Sequence, residues 1–272
     1  MIVEALGKRV EVVSFSGVAD SPVTLLFLHE GLGSAKQWRD FPKRVGEGAA
    51  LTALAYSRLG YGGSEQVTLP RPLDYMQQEA KVFLPALLDE LGLASVILVG
   101  HSDGGSIALV HAALDAAGHK RVKGVVLEAP HVLVEDVAVA SIADAREAFE
   151  TGDLRTKLAK HHGANVDVAF RGWNDAWLDP AFRAWNIEEY LPRIEVPVLV
   201  IQGEDDPYGT RAQVDAIARQ VRGPVEVLML PRCGHAPHRD QPEATASAMI
   251  SFAMRVASIS LTAPRRAGNP AP

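Results

Sequence analysis

The stretch Val96-Ile97-Leu98-Val99-Gly100-His101-Ser102-Asp103-Gly104-Gly105-Ser106-Ile107-Ala108-Leu109-Val110 decides the reading of this chain. A short apolar run rich in β-branched residues enters Gly-His-Ser-Asp-Gly and leaves as an apolar helix. The pattern is G-x-S-x-G between a strand and a helix, a turn so tight that small residues must stand on both sides of the serine. Gly100 and Gly104 meet that need, and Gly105 lets the helix lie close to the neighbouring strand. Ser102 is thereby expected on a strained corner, its hydroxyl exposed and the amide dipoles of the helix beneath it. That is the place of a nucleophile. A plain Gly/Ser turn before an ordinary helix would show the same pentapeptide, so the reading needs partners elsewhere in the chain.

Outward from this stretch, apolar runs of strand length alternate with helical patterns. Towards the N-terminus, Val23–Leu28 is a nearly continuous apolar run, the mark of a strand buried on both faces, and Leu51–Tyr56 reads the same way. Arg9–Phe15 alternates apolar and polar residues as a half-buried strand does. A helix is expected from about Ala35, and another over Asp74–Leu91 with a kink at Pro85. Towards the C-terminus come Val125–Glu128, Val196–Ile201 and Val225–Leu230 as strands, with helices over Thr210–Val221 and Pro242–Val256. Strands alternating with helices imply a mostly parallel sheet flanked by helices. Between His131 and Leu191 the rhythm breaks into helical segments (Val134–Phe149, Leu154–His161, Val166–Leu178) without a convincing strand. The α/β rhythm then resumes, so this segment reads as an insertion rather than an independent domain. The expected organisation is a core over 1–130 and 192–260, a helical cap over 131–191, and a disordered Pro- and Arg-containing tail over 261–272.

Composition narrows the possibilities. The 272 residues are 47% hydrophobic and 22% charged, as a globular protein with an ample core requires. A formal net charge of −6 argues against a nucleic-acid or anionic-membrane partner. Cys233 is the single cysteine, which excludes an intrachain disulfide and a cysteine metal cluster. No apolar run approaches the roughly 18 residues of a membrane span, and the N-terminal residues lack the apolar segment of a signal peptide, so a cytoplasmic protein is expected. No H-E-x-x-H, G-x-G-x-x-G or P-loop pattern occurs, so neither a metal nor a nucleotide cofactor is indicated.

A serine hydroxyl is a poor nucleophile until a base takes its proton, and the base needs a third group to orient it. In a parallel sheet, residues just beyond the carboxyl ends of the strands converge on one edge. Ser102, Asp206 and His235 each follow a strand, in the chain order Ser, Asp, His. With all three in place, the sequence resembles the α/β-hydrolase superfamily over nearly its whole length. The resemblance rests on Gly100–Gly104 as a nucleophile elbow and on Gly203-Glu204-Asp205-Asp206-Pro207, similar to the family's G-x-x-D turn. It also rests on Gly234-His235 with the helix beyond it, and on Arg58-Leu59-Gly60-Tyr61-Gly62-Gly63-Ser64, which resembles the family's glycine loop after the fourth strand.

The resemblance implies the α/β-hydrolase fold with a small helical cap and a cofactor-free serine hydrolase acting on a small-molecule carboxylic ester or lactone. Ser102 would be the nucleophile, His235 the base and Asp206 the acid. The oxyanion hole would take the Asp103 amide and, from the loop after the third strand, the Gly31 amide, with Leu32 as fallback. That loop reads His29-Glu30-Gly31 where the family commonly has His-Gly, which leaves Glu30 either bonded to nearby loop amides or facing substrate. Asp103 has an adequate explanation in the helix macrodipole. Some amino-acid ester hydrolases of this fold resemble its Ser-Asp-Gly-Gly, and there the acid would bind a substrate ammonium. Glu30, Leu32, His131, Trp173, Trp177 and Trp185 are the candidate substrate-binding residues, while His161 and His162 are expected exposed on the cap and His29 and His101 in packing or hydrogen-bonding roles. Carbon–carbon bond hydrolases and cofactor-free perhydrolases keep the same triad and stay open as alternatives, as does a ligand-binding receptor on this scaffold.

Overall fold

A computed structural model describes residues 1–19, 21 and 23–262. Eight strands form one sheet: β1 (Ile2–Ala5), β2 (Lys8–Ser16), β3 (Thr24–Leu28), β4 (Thr52–Tyr56), β5 (Val96–His101), β6 (Val122–Glu128), β7 (Val198–Gly203) and β8 (Val225–Leu230), in the order β1-β2-β4-β3-β5-β6-β7-β8. The first two join antiparallel, and every pair from β4 to β8 is parallel. The helices are α1 (Phe41–Ala49), α2 (Tyr75–Gln78), α3 (Leu84–Glu90), α4 (Asp103–Asp115), α5 (Asp136–Glu150), α6 (Leu154–His162), α7 (Val166–Leu178), α8 (Arg211–Gln220), α9 (Pro237–Asp240) and α10 (Pro242–Thr262).

The continuous apolar runs are explained by two cores, one on each face of the sheet. Leu26, Leu28, Leu98, Val125 and Val200 pack on the side of α3, α4 and α8, while Leu25, Phe27, Ile97, Val99, Val126 and Leu199 pack on the side of α1 and α10. Successive residues of a strand point to opposite faces, so a strand covered on both sides must be apolar at every position. Helix α4 lies so deep that nearly all of it is buried, and it is accordingly apolar around most of its circumference.

The topology also creates the site. From β3 the chain runs through α1 on one face to β4. It then returns to β5 on the other side of β3 and leaves through α4 on the opposite face. The connections after β3 and β5 therefore diverge, and a crevice opens at their carboxyl ends. Helices α5, α6 and α7 and three 3₁₀ turns (Gly163–Asn165, Pro180–Ala184 and Glu188–Arg193) fill the connection between β6 and β7 and close over that crevice.

Several details differ from the sequence reading. Pro85 does not kink one long helix. A π turn over Glu79–Phe83 separates α2 from α3 and leaves Pro85 in the first turn of α3, where its missing N–H costs least. The closest helix-to-strand approach belongs to Gly104 rather than Gly105, since a Cβ on Gly104 would lie 2.1 Å from the Leu28 carbonyl oxygen. Helix α10 continues past Val256 to Thr262, so residues 261 and 262 of the expected tail are helical. The rest of that tail lies outside the described residues.

Gly104→Ala is expected to cost about 1–3 kcal/mol, the usual range for overpacking a close contact. A fall in the urea midpoint without a change in slope checks this.

Candidate active site

Ser102 is the Ncap residue of α4, with φ +53° and ψ −118°. A β-bearing residue adopts such angles only where its surroundings impose them. Here they do. The Ser102 amide donates to the Glu128 carbonyl at 2.9 Å, holding the corner to β6. Inside the corner a Cβ on Gly100 would stand 2.3 Å from the Gly104 carbonyl oxygen. The N–H of Asp103, first in α4, has no carbonyl one turn behind it within the helix.

Asp206 and His235 meet at the carboxyl ends of β7 and β8. His235 Nδ1 lies 2.9 Å from both Asp206 carboxylate oxygens and donates to them, which leaves Nε2 as the basic nitrogen. Asp206 is itself held by the Tyr208 amide at 2.8 Å and by Gln202 Nε2 at 2.7 Å. Burial alone would raise its pKa, but the hydrogen bond and charge of His235 and the Tyr208 amide outweigh burial, and it is lowered. Behind His235, its carbonyl oxygen accepts from His101 Nε2 at 2.7 Å. Ser102 and His235 face one cavity of about 100 Å³, and among the described residues no hydrogen bond yet joins them.

Glu30, Gly31, Leu32, His131, Ile142, Trp173, Trp177 and Tyr208 complete the wall. The Gly31 amide takes no acceptor among the described residues. Its lack of a side chain is required, because a Cβ there would fall 2.2 Å from Trp173 Nε1. Glu30 lies in the cavity wall with each oxygen turned to a basic side chain: Oε2 is 3.5 Å from His101 Nδ1 and Oε1 is 3.7 Å from Arg239 Nη2. Burial raises the Glu30 pKa, but His101 and Arg239 more than reverse this and hold it well below the usual carboxylate range. The same contact, against the opposing effect of burial, raises His101. Burial, with His235 beside it, pushes His131 down to about 3, so His131 is a neutral wall.

Asp103 does not face the cavity. Its Oδ2 accepts from the Tyr75 hydroxyl at 2.6 Å and lies 3.4 Å from Arg58 Nη1, all three side chains being buried. With its charge already met by Arg58, it is poorly placed to hold a substrate ammonium. Trp185 is also off the cavity. Its ring packs on Phe182 and Trp177, and its N–H donates to Gln77 at 3.2 Å. His162, expected exposed, is buried: Nδ1 accepts from the Gly62 amide and Nε2 donates to the Leu32 carbonyl, each at 3.0 Å, tying α6 to the loop after β3. Sequence reasoning missed Ile142, an α5 residue without a motif, and Tyr208, whose ring lies 4.7 Å from that of His235. The position of Tyr208, two residues after Asp206, was the available signal.

A family model described as "Alpha/beta hydrolase family" matches residues 25–248, most of the chain. The chain belongs to that family. Among curated relatives of this α/β hydrolase, the human serine hydrolase BPHL is 27% identical over 196 residues, covering 69% of this chain and 64% of its own length, slightly under two thirds. The 2-succinyl-6-hydroxy-2,4-cyclohexadiene-1-carboxylate synthase of Serratia proteamaculans is 28% identical over 263 residues, covering 87% and 94%. Of the solved structures, a serine hydrolase involved in carbazole degradation superposes with a TM-score of 0.72 at 19% identity, covering 93% and 97%. The enol-lactonase of Burkholderia xenovorans gives 0.68 at 19%, covering 93% and 99%. At such identity these two show the fold. Among the described residues no helix is long and apolar enough to cross a membrane, and no group of three or more His, Cys, Asp and Glu is placed to hold a metal.

The Glu30–His101 pair is expected to stabilise the fold most at mildly acidic pH, between the ordinary carboxylate and imidazole values. Glu30 has a lowered pKa, so its contribution is present above the unfolded carboxylate range and lost as pH falls through the folded value. His101 has a raised pKa, so its contribution is complete below the unfolded value and lost as pH rises through the folded one. Glu30→Gln is expected to cost about 1–3 kcal/mol at mildly acidic pH and to flatten both limbs, read from urea midpoints across pH 4–9.

Proposed function

We propose that this α/β hydrolase is a serine hydrolase that cleaves a small-molecule carboxylic ester or lactone through an acyl-enzyme intermediate. The observation that carries the reading is the doubly held His235–Asp206 pair, set over the same small cavity as a positive-φ Ser102. The serine-hydrolase name of its human relative points the same way. In this reading residues 131–191 are the cap that sets specificity, over a core of 1–130 and 192–260.

His235 Nε2 takes the Ser102 proton as Oγ bonds to the substrate carbonyl carbon. The oxygen becomes an anion held by the Gly31 and Asp103 amides, the latter aided by the positive end of α4. Asp206 keeps the imidazole in the tautomer that accepts at Nε2 and stabilises its cation. His235 then gives the proton to the leaving oxygen as the carbon–oxygen bond breaks, leaving Ser102 acylated. Water loses a proton to His235 and attacks the acyl carbon, Ser102 leaves with that proton, and the free acid departs.

Trp173, Trp177, His131, Ile142 and Leu32 make the acyl side of the pocket mostly apolar, and the Tyr208 ring lies against the base at a tilt. At about 100 Å³ the cavity has room for roughly three waters' volume, which suits a short acyl group. Hydrolysis of p-nitrophenyl acetate and butyrate is therefore expected to exceed that of octanoate, and Ser102→Ala to lose at least about 10³-fold in kcat. Turnover that survives Ser102→Ala, or none by wild type on any ester, contradicts the proposal.

Asp206→Asn should fold normally yet lose about 10³–10⁴-fold in kcat, because the imidazole no longer has a carboxylate to fix its tautomer. Steady-state kinetics beside a thermal melt checks both halves of this expectation.

A further inference from the structure

Arg58 takes no part in the chemistry proposed above, yet its guanidinium is buried directly behind the two amides that this chemistry needs. It stands on the loop that follows β4. Nη2 donates to the Glu30 carbonyl at 2.9 Å, while Nη1 and Nη2 lie 3.4 and 3.5 Å from Asp103 Oδ2.

The Glu30 carbonyl and the Gly31 N–H belong to one peptide unit. Such a unit is planar and trans, so its oxygen and its hydrogen point opposite ways. Holding the carbonyl into the interior turns the Gly31 N–H away from it, towards the cavity that Gly31 lines. Two further donors act on the same oxygen, the Gly33 amide at 3.1 Å and His29 Nδ1 at 2.7 Å. The Arg58 amide donates to His29 Nε2 at 3.0 Å, which fixes His29 as the tautomer with its proton on Nδ1. Arg58 thus holds this peptide twice, by its guanidinium and through His29. Its second contact reaches Asp103, the residue whose own amide is the other oxyanion donor.

Resting on the serine-hydrolase reading, we infer that Arg58 is the positioning residue of the oxyanion hole: one guanidinium ties the peptide presenting the Gly31 N–H to the residue presenting the Asp103 N–H. The two donors come from separate connections, after β3 and after β5, and no covalent link sets their spacing. Both must lie 2.7–3.1 Å from the position of the oxyanion. A planar fork with several donors can hold two acceptors at once, which an ammonium does less well. Stability alone is a weak reason for such a pair, since buried ion pairs are often replaceable by apolar residues without loss.

The test is Arg58→Lys, assayed on p-nitrophenyl acetate and with a trifluoromethyl ketone, which adds to the serine and places an oxyanion in the hole. Active sites are counted by fluorophosphonate titration. The expected result is a fall of about 10–100-fold in kcat per titrated site, with KM within about 3-fold and the ketone's affinity falling by the same factor as kcat. An unchanged kcat per site, or a lower kcat with unchanged ketone affinity, overturns the inference. A merely structural role would lower the melting temperature and the titratable fraction alone. If Arg58→Lys does not fold, Asp103→Asn replaces it, weakening the second hold. A paired fall in kcat and ketone affinity then supports the inference, and no change in either overturns it. Wild type that neither turns over esters nor takes the label overturns the serine-hydrolase reading and this inference together, an outcome distinct from an active wild type with an indifferent Arg58.

Discussion

Much of the molecule follows from a backbone crossing. Where β5 turns into α4, the chain passes over itself at Gly100 and Gly104 and against the end of β3 at Leu28, at separations that admit no Cβ. Ser102 sits at the apex with a positive φ, and strain of order 1–3 kcal/mol persists only because packing on every side dictates it. The crossing drives α4 into the middle of one layer. A helix so placed must be apolar nearly all round, and the runs in β3, β5 and β6 must be apolar on both faces.

That burial creates an electrostatic problem which the surrounding residues answer. Asp103 opens α4 and has to bury its carboxylate. Arg58 and Tyr75 meet it, and the Tyr75 hydroxyl in turn accepts from Trp177 Nε1 at 3.1 Å. Helix α7 is therefore joined to the start of α4 through hydrogen-bonded groups as well as by apolar contact. His162 and Asn165 make a second junction, to Leu32, Gly62 and Ser64 of the loops after β3 and β4. On the far side, Glu128 holds His238 through Nδ1 at 2.8 Å, and His238 packs on Trp38 and His101 beneath His235. Partly satisfied polar networks are costly in a core, so their concentration around one small cavity marks where this fold gives up stability for placement.

The legible and illegible features divide along physical lines. Strands covered on both faces announce themselves as apolar runs, so β3, β5, β6 and β7 could be read from their Val, Leu and Ile, and α5 to α7 showed in their period. Ser102, Asp206 and His235 each follow a strand that the sequence showed, and the structure brings His235 onto Asp206 beside the cavity that Ser102 lines. The strand β1 was missed because Ile2–Ala5 is short and its pairing with β2 depends on a turn at Leu6-Gly7. The burial of His162 and the distance of Trp185 from the cavity depend on how the segment between β6 and β7 is laid down. That is set by long-range hydrogen bonds to Gly62, Leu32 and Gln77, and no local pattern encodes those. The pairing of Arg58 with Asp103 is equally non-local: both residues stood in recognised stretches, and nothing in either stretch names the other.

The central claim is that Ser102 becomes covalently acylated. Rapid acid quench of the protein with p-nitrophenyl butyrate, followed by peptide mass spectrometry, tests it most directly. The account predicts a butyryl adduct on Ser102 that forms within the first turnover and does not form in Ser102→Ala. Ester turnover with no adduct on any residue, or with the adduct on a residue other than Ser102, would contradict it.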